Sequence, residues 1–340
     1  MKPIEVRAER EYQVLFTDSW SEQIRSLIGA RRFIILTQAS LRDRVVDVFP
    51  EDSIIVTADG EEQKSLTSFT TLLEDFANRG LDRNSLIIGV GGGATTDLAG
   101  FLAATYMRGI DWVAVPTSIA GMVDAAIGGK TGVNLSSGKN LAGAFFSPIQ
   151  VIVDLDWLST LPTREIRAGL AESVKCGFIS DLRILELFQD GYEKNLADII
   201  HRSVAVKAAV VSKDFRESFE REILNYGHTL GHAVEQDSSY QLRHGEAVSI
   251  GMVFAAELSL RESGLSRDLV DLHYQILESL NLPCTYKRDS WNNLFELMSR
   301  DKKRRGSSIR FVSLTGIGQT DRLEVEATKL KEIYEATVGR

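Results

Sequence analysis

The stretch that decides the fold reads Leu86-Ile87-Ile88-Gly89-Val90-Gly91-Gly92-Gly93-Ala94-Thr95-Thr96-Asp97. An apolar run passes here into consecutive glycines, and a helical stretch follows through Arg108. A strand that ends in glycines before a helix lets backbone N–H groups approach a pyrophosphate, whose charge the helix N-terminus favours. The stretch lacks both the GxGxxG fingerprint and the Gly-Lys-Ser/Thr of a P-loop, so a plain strand-to-helix turn stays the alternative. It predicts an α/β fold with a dinucleotide or phosphate loop.

Apolar runs on both sides of this stretch predict further strands. They alternate with amphipathic stretches as far as about residue 155, a pattern that is typical of βαβ units and a mainly parallel sheet. The predicted strands cover residues 33–36, 53–56, 86–90, 112–115 and 151–153.

Beyond residue 161 the pattern changes to apolar residues three and four apart, which indicates amphipathic helices. The predicted helices cover residues 164–179, 195–213, 217–235, 245–261 and 268–280, and one late strand covers 309–314. We therefore expect an N-terminal Rossmann-like α/β domain over residues 1–160. A mainly α-helical C-terminal domain should follow over residues 161–340.

Length and composition exclude several classes of protein. A chain of 340 residues with 44% hydrophobic and 25% charged residues is typical of a globular protein with two domains. We see no apolar run of about eighteen residues and no N-terminal signal peptide, and the two cysteines are too few for a disulfide framework. We therefore expect a cytoplasmic protein that does not bind membranes.

The net charge of −8 argues against a nucleic-acid partner, because nucleic-acid-binding proteins need a basic face. An anionic small molecule remains possible in a local basic pocket, since the pocket sets the field that a substrate feels.

A second polar segment, residues 122–134, continues through residues 138–145. It places Asp124, Lys130, Asn134, Lys139 and Asn140 within seventeen residues, and each lysine follows a glycine. Lysines in such a segment suit phosphate or carboxylate oxygens. A solvated connecting loop is the alternative interpretation.

Histidines give the strongest signal for a site. Three of the five histidines, His228, His232 and His244, fall within seventeen residues. The first two are four residues apart, so on a helix both rings project from one face, where they could share a metal or one could shuttle protons. The zinc-protease motif is excluded, because Thr229 stands where that motif has its glutamate. Glu172 is a candidate carboxylate ligand, and structural histidines remain the alternative.

These motifs together resemble the 3-dehydroquinate synthase family of the sugar phosphate cyclase superfamily. The resemblance extends from residue 59 to residue 314, with the motifs in order and at the family's spacing. The motifs that carry it are the glycine loop, residues 106–109, 124–130, 138–140, 172–175, Lys207, residues 221–225, the histidine helix, His244 and residues 301–303.

The resemblance implies a role for each matching residue. It implies that Glu172, His228 and His244 bind Zn²⁺ or Co²⁺. Contacts to NAD are implied for Asp59, Gly60, Glu61, Lys64, Gly92, Gly93, Ala94, Thr95, Thr96, Asp97, Thr117, Ser118, Lys130, Lys139, Trp157, Thr160 and Leu161. Contacts to a sugar-acid phosphate substrate are implied for Asp124, Lys130, Asn140, Lys175, Lys207, Arg221, Asn225, His232, Lys302 and Lys303. Arg108 matches an arginine that reaches the site of a second subunit, which implies a homodimer.

Two positions depart from the family pattern. Thr96 replaces the usual glycine before Asp97, and Thr37-Gln38 replaces an acidic or amide residue that often follows the first strand. Both changes concern details of pyrophosphate and ribose binding.

The family's reaction converts 3-deoxy-D-arabino-heptulosonate 7-phosphate to 3-dehydroquinate and phosphate. It proceeds through transient oxidation by NAD⁺, phosphate elimination, reduction and internal aldol closure. Three alternatives remain from the sequence. They are a cyclase of sedoheptulose 7-phosphate or glucose 6-phosphate, a metal-dependent alcohol dehydrogenase, and an inactive sugar-phosphate-binding protein.

Overall fold

The computed structural model describes residues 1–300 and 308–339, so the predicted substrate contacts Lys302 and Lys303 lie outside the described residues. The chain forms two compact units. The first contains Met1–Leu161 and Lys207–Arg216, and the second contains Pro162–Val206 and Glu217–Arg340. The two domains predicted from the sequence, residues 1–160 and 161–340, did not include residues 207–216 in the first unit. No helix among the described residues is long and apolar enough to cross a membrane.

The first unit is an α/β layer structure. Its elements are β1 (Ile4–Arg7), β2 (Glu11–Thr17), α1 (Trp20–Ile28), β3 (Phe33–Gln38), α2 (Arg42–Val46), β4 (Ile54–Thr57), α3 (Leu66–Asn78), β5 (Leu86–Gly91), α4 (Gly93–Thr105), β6 (Asp111–Pro116), β7 (Lys130–Leu135), β8 (Gly138–Phe145) and β9 (Gln150–Asp154). Within the described ranges, seven strands form one sheet in the order β1-β2-β9-β6-β5-β3-β4.

The pairing in this sheet is parallel except between β1 and β2. The five strands predicted from apolar runs are therefore confirmed as β3, β4, β5, β6 and β9. Strand β5 is buried along its whole length, as expected for a parallel strand that helices cover on both faces. Strand β3 pairs with β4 on one side and β5 on the other, so the direction of winding reverses between β3 and β5. Ligands of open α/β sheets bind at such a point.

The second unit is mainly helical, as predicted. Its elements, together with the helix α7 that continues into the first unit, are α5 (Thr163–Ile179), α6 (Leu182–Gln189), α7 (Tyr192–Lys213), α8 (His228–Asp237), α9 (His244–Glu262), α10 (Arg267–Ser279), α11 (Trp291–Arg300), β10 (Ser308–Gly316), β11 (Gln319–Glu326) and α12 (Ala327–Ala336). Strand β10 confirms the late strand, and it forms an antiparallel hairpin with β11. Helix α9 is the core of the unit and is buried from residue 245 to residue 259.

One predicted helix is wrong. Residues 217–235 do not form a continuous helix, because a 3₁₀ turn over Glu220–Asn225 ends before α8 begins at His228. Gly227 separates the two with a φ of +79°, a left-handed conformation that glycine adopts without steric cost. Apolar periodicity continues through the break, so periodicity alone did not reveal it.

Glycine permits very close packing of α9 against its neighbours. A Cβ at Gly251 would lie 1.9 Å from the carbonyl oxygen of Gly227, and one at Gly245 would lie 1.7 Å from that of Ala168. No side chain fits at these distances, so α9 lies against backbone that leads into α8 and against the backbone of α5.

We predict that Gly251→Ala lowers the free energy of unfolding by about 1–3 kcal/mol or more, since the new methyl group overpacks a backbone contact. Chemical denaturation followed by circular dichroism measures the change. Arg261→Ala, at an exposed position of the same helix, is the control and should change stability little. Equal stability of the two variants would show that the α8–α9 contact can relax.

Candidate active site

The predicted cofactor residues of the first unit gather at the carboxyl ends of parallel strands. Asp59 to Lys64 follow β4, the glycine loop follows β5, and Thr117 and Ser118 follow β6. Because parallel strands end at the same edge of a sheet, these segments lie together beside the reversal between β3 and β5. The amide of Thr117 donates to the carbonyl of Gly91 at 2.9 Å and ties two of the segments together.

The glycine loop forms the N-terminus of α4. Gly92 is the N-cap, and the first amides of any helix lack carbonyl partners within the helix, so they can donate hydrogen bonds to a bound anion. Thr96, the first departure from the family pattern, is buried and donates its hydroxyl to the carbonyl of Gly93 at 3.0 Å. Gln38, at the second departure, accepts from the amide of Gly92 at 3.4 Å. The loop therefore accommodates both replacements.

Lys64 links the loop after β4 to two other predicted site residues. Its Nζ lies 2.7 Å from Oδ2 of Asp97 and 2.6 Å from Oδ1 of Asn140, and its side chain is 2% exposed. Burial raises the pKa of Asp97 to about 6, although Lys64 opposes the shift. Asp97 is therefore mostly ionised at neutral pH and keeps the buried lysine paired.

The remaining predicted residues of the first unit differ in exposure. Lys207 pairs with Asp124, so the structure brings together two predicted substrate contacts that are far apart in sequence. Lys130 is exposed at the start of β7, and Lys139 is half-buried in β8. Trp157 is buried 5.2 Å from the ring of Trp20.

Three donors converge in the second unit. Oε1 of Glu172 lies 3.4 Å from Nε2 of His228 and 3.3 Å from Nε2 of His244. Glu172 comes from α5, and the two histidines are the first residues of α8 and α9. The structure thus joins the histidines with the carboxylate that the sequence singled out, and the donor atoms lie within 4.8 Å of one another.

The protonation states of this set favour a cation. Burial lowers the pKa of His228, and the nearby Lys175 lowers it further. Neutral His228 donates from Nδ1 to the carbonyl of Tyr226 at 3.1 Å, so Nε2 presents its lone pair. Oε1 of Glu172 is buried and has no hydrogen-bond partner. The unprotonated Nε2 of His228 thus faces Oε1 of Glu172, and a divalent metal between the two atoms would stabilise this arrangement.

Lys175 holds the other oxygen of the same carboxylate. Both side chains are 2% exposed, and Nζ of Lys175 donates to Oε2 of Glu172. Burial alone would raise the pKa of Glu172, but Lys175 and His228 hold it well below its usual range. Glu172 is therefore ionised, with one oxygen paired and one oriented toward the histidines. Two histidines and one carboxylate match an open zinc or cobalt site.

A second set of possible ligands overlaps with the first. It contains His232, Glu235 and His244, so His244 belongs to both sets. His232 is exposed, and its ring centroid lies 5.2 Å from that of His228. Partial burial would lower the pKa of His244, but the carboxylates of Glu172 and Glu235, one beside each ring nitrogen, raise it to about 10.

The other predicted substrate contacts of the second unit lie on the turn before α8. Arg221 is 1% exposed, and Asn225 donates to Oε1 of Glu217 at 3.2 Å. Arg108, in the first unit, is exposed at the end of the turn after α4, where its φ is +68°.

Two contributors to the metal set were missed from the sequence. They are Glu235, which contacts His244, and the carbonyl of Tyr226, which contacts His228. Glu235 follows His228 by seven residues and so lies on the same face of α8, which is a signal that could have identified it. No sequence pattern identifies a backbone carbonyl.

Comparisons with known proteins agree with this geometry. The family model described as 3-dehydroquinate synthase N-terminal matches residues 54–168, and the one described as 3-dehydroquinate synthase C-terminal matches residues 169–304. The chain is 48% identical to a 3-dehydroquinate synthase of Pseudarthrobacter chlorophenolicus, over 90% of this chain and 86% of the relative. It is 45% identical to one of Corynebacterium diphtheriae, over 95% of each chain.

A solved structure of 2-deoxy-scyllo-inosose synthase, complexed with carbaglucose-6-phosphate, NAD⁺ and Co²⁺, is similar along its whole length. The TM-score is 0.86 at 28% identity, and the match covers 99% of this chain and 100% of that chain.

We predict that His228→Ala and His244→Ala abolish metal retention, because a three-ligand site that loses one ligand releases its ion readily. His232→Ala should keep the metal and lose turnover. Elemental analysis of dialysed protein, together with an activity assay, measures both properties. A metal-free His232→Ala protein beside metal-loaded His228→Ala would assign the ion to the second set.

Proposed function

The chain belongs to the 3-dehydroquinate synthase family, and we propose that its site converts 3-deoxy-D-arabino-heptulosonate 7-phosphate to 3-dehydroquinate and phosphate. The observation that carries the proposal is the convergence of Glu172, His228 and His244 within the matched C-terminal region. The relatives at 45–48% identity are named for this activity. The similar 2-deoxy-scyllo-inosose synthase is only 28% identical to this chain. A cyclase that acts on another sugar phosphate is therefore not favoured.

The cofactors of the proposed reaction fit the residues present. The similar cyclase was crystallised with NAD⁺ and Co²⁺, and this chain offers a glycine-capped helix for the pyrophosphate and a three-donor set for Zn²⁺ or Co²⁺. When bound, the metal would lower the pKa of a substrate hydroxyl, and NAD⁺ would accept a hydride from the carbon that bears this hydroxyl.

Lysines of this chain would position the metal ligand Glu172 and bind the substrate. Lys175 fixes Glu172 by holding one carboxylate oxygen, so the other stays oriented toward the histidines. Lys207 is held by Asp124, and a substrate oxygen can replace that carboxylate without leaving the lysine unpaired. The other proposed substrate contacts are Lys130, Asn140, Arg221, Asn225, His232, Lys302 and Lys303.

A metal-dependent alcohol dehydrogenase would need few of these cations. Its substrates carry neither the phosphate nor the carboxylate that lysines and arginines bind. An inactive binding protein would not need three donors around an unsatisfied buried oxygen, because that arrangement costs stability unless a metal binds.

We predict that NAD⁺ is required for phosphate release but is not consumed, because oxidation and reduction occur on one bound substrate. Phosphate release is measured with and without NAD⁺ and a chelator, while NADH absorbance is followed in the same sample. Chelator should abolish release, and added Zn²⁺ or Co²⁺ should restore it. A rise of NADH in proportion to phosphate would instead indicate a dehydrogenase.

We also propose a homodimer in which Arg108 reaches the substrate phosphate of the partner subunit. Its support is the exposed position of Arg108 on a turn in which Met107, Arg108 and Gly109 all have positive φ. None of the described carboxylates forms an ion pair with Arg108. Two-fold symmetry would make such sharing reciprocal.

We predict that Arg108→Ala and His228→Ala proteins, each inactive alone, regain roughly a quarter of wild-type activity when they are unfolded together and refolded. About half of the dimers would be mixed, and each mixed dimer would hold one intact and one doubly defective site. Light scattering on the refolded sample confirms its oligomeric state. No recovery in a dimeric sample would show that Arg108 acts within its own subunit.

A further inference from the structure

His244 contacts a carboxylate through each of its ring nitrogens. Nε2 lies 3.3 Å from Oε1 of Glu172, and Nδ1 lies 3.2 Å from Oε2 of Glu235. Glu235 is on α8, one helical turn beyond His232, and its side chain is 12% exposed. Glu235 is neither one of the three proposed ligands nor one of the proposed substrate contacts.

The second histidine of the set is held in the same way by a different group. Nδ1 of His228 donates to the carbonyl of Tyr226 at 3.1 Å, which leaves Nε2 toward Glu172. Both histidines thus have an oxygen acceptor at Nδ1 and present Nε2 to Glu172. Histidines that ligate metals commonly donate their second ring N–H to an oxygen in this manner, which fixes the tautomer and the ring orientation.

We propose that Glu235 is a positioning residue of the metal centre, which accepts the Nδ1 proton of His244 and so fixes Nε2 as the donor to the ion. The inference rests on the proposed ligands Glu172, His228 and His244. It also assigns different supports to the two histidines, namely a neutral carbonyl for His228 and a carboxylate for His244. A carboxylate makes the imidazole a more basic ligand than a carbonyl does.

This assignment excludes Glu235 as a ligand of the same ion. A metal bound by His232, Glu235 and His244 would need a bare Nδ1 on His244, whose remaining proton would then lie on Nε2. That proton would face Glu172 and remove His244 from the first set. A neutral His244 can therefore ligate an ion in only one of the two sets. The buried Oε1 of Glu172, which has no hydrogen-bond partner, favours the set of Glu172, His228 and His244.

Four variants separate the roles. Glu235→Gln keeps an acceptor oxygen without the charge, and Glu235→Ala removes the acceptor. Glu172→Gln removes the proposed ligand charge. Gln236→Ala, at an exposed neighbouring position of the same helix, is the matched control. Circular dichroism of the metal-free proteins establishes folding, and Glu235→Gln carries the test if Glu235→Ala does not fold.

The measurement is Co²⁺ affinity by chelator competition, together with the visible absorption of the bound ion. We expect Glu235→Gln and Glu235→Ala to bind Co²⁺ about 10–100-fold more weakly than wild type, with Glu235→Ala the weaker. The absorption bands of Glu235→Gln should keep their positions because the ligands are the same. Gln236→Ala should equal wild type, and Glu172→Gln should not retain the ion.

Wild-type affinity in both Glu235 variants would overturn the inference while leaving the three ligands intact. Loss of Co²⁺ or shifted bands in Glu235→Gln, with retention in Glu172→Gln, would make Glu235 a ligand and overturn the inference too. Retention of Co²⁺ by Glu172→Gln with unchanged bands, beside weakened Glu235→Gln, would instead contradict the ligand set of the proposed function.

Discussion

The close packing of helix α9 against backbone on two sides is the constraint on which the metal site depends. Gly245 lies against the carbonyl of Ala168, and Gly251 lies against that of Gly227. These contacts bring the first residues of α8 and α9 beside Glu172 in the middle of α5. A side chain at either glycine would separate the elements that carry the donors, so the geometry of the ligands follows from packing rather than from the ligands themselves.

Charge in this region is balanced before a metal binds. Lys175 compensates one buried oxygen of Glu172, and the ring of His244 lies between the carboxylates of Glu172 and Glu235. A bound ion would be held by Oε1 of Glu172, which has no hydrogen-bond partner, and by Nε2 of His228 and His244. The protein therefore keeps an ionised carboxylate and a neutral His228 ready in a buried environment, where an unbalanced charge would be costly.

The sequence predicted the parts of the fold that local patterns encode. The five parallel strands were identifiable because strands buried on both faces are continuous apolar runs, and His228 and His232 were identifiable by their spacing. The predicted helix over residues 217–235 was wrong because periodicity does not report one left-handed glycine. The β7–β8 hairpin was missed because its glycines and polar residues interrupt the apolar pattern of a strand, and the contact of Glu235 with His244 joins two different helices, which no local pattern reveals.

Residues 207–216 pack with the first unit although they are separated from it in sequence, which limits how this gene can be divided. A fragment that stops at residue 161 would lack a segment that packs within its own unit, including Lys207, the partner of Asp124. A fragment that starts at residue 162 would carry that segment without the unit to which it belongs. Single-crossover recombination with a relative would therefore mix parental sequences inside one folding unit, and exchange of a whole unit requires three junctions.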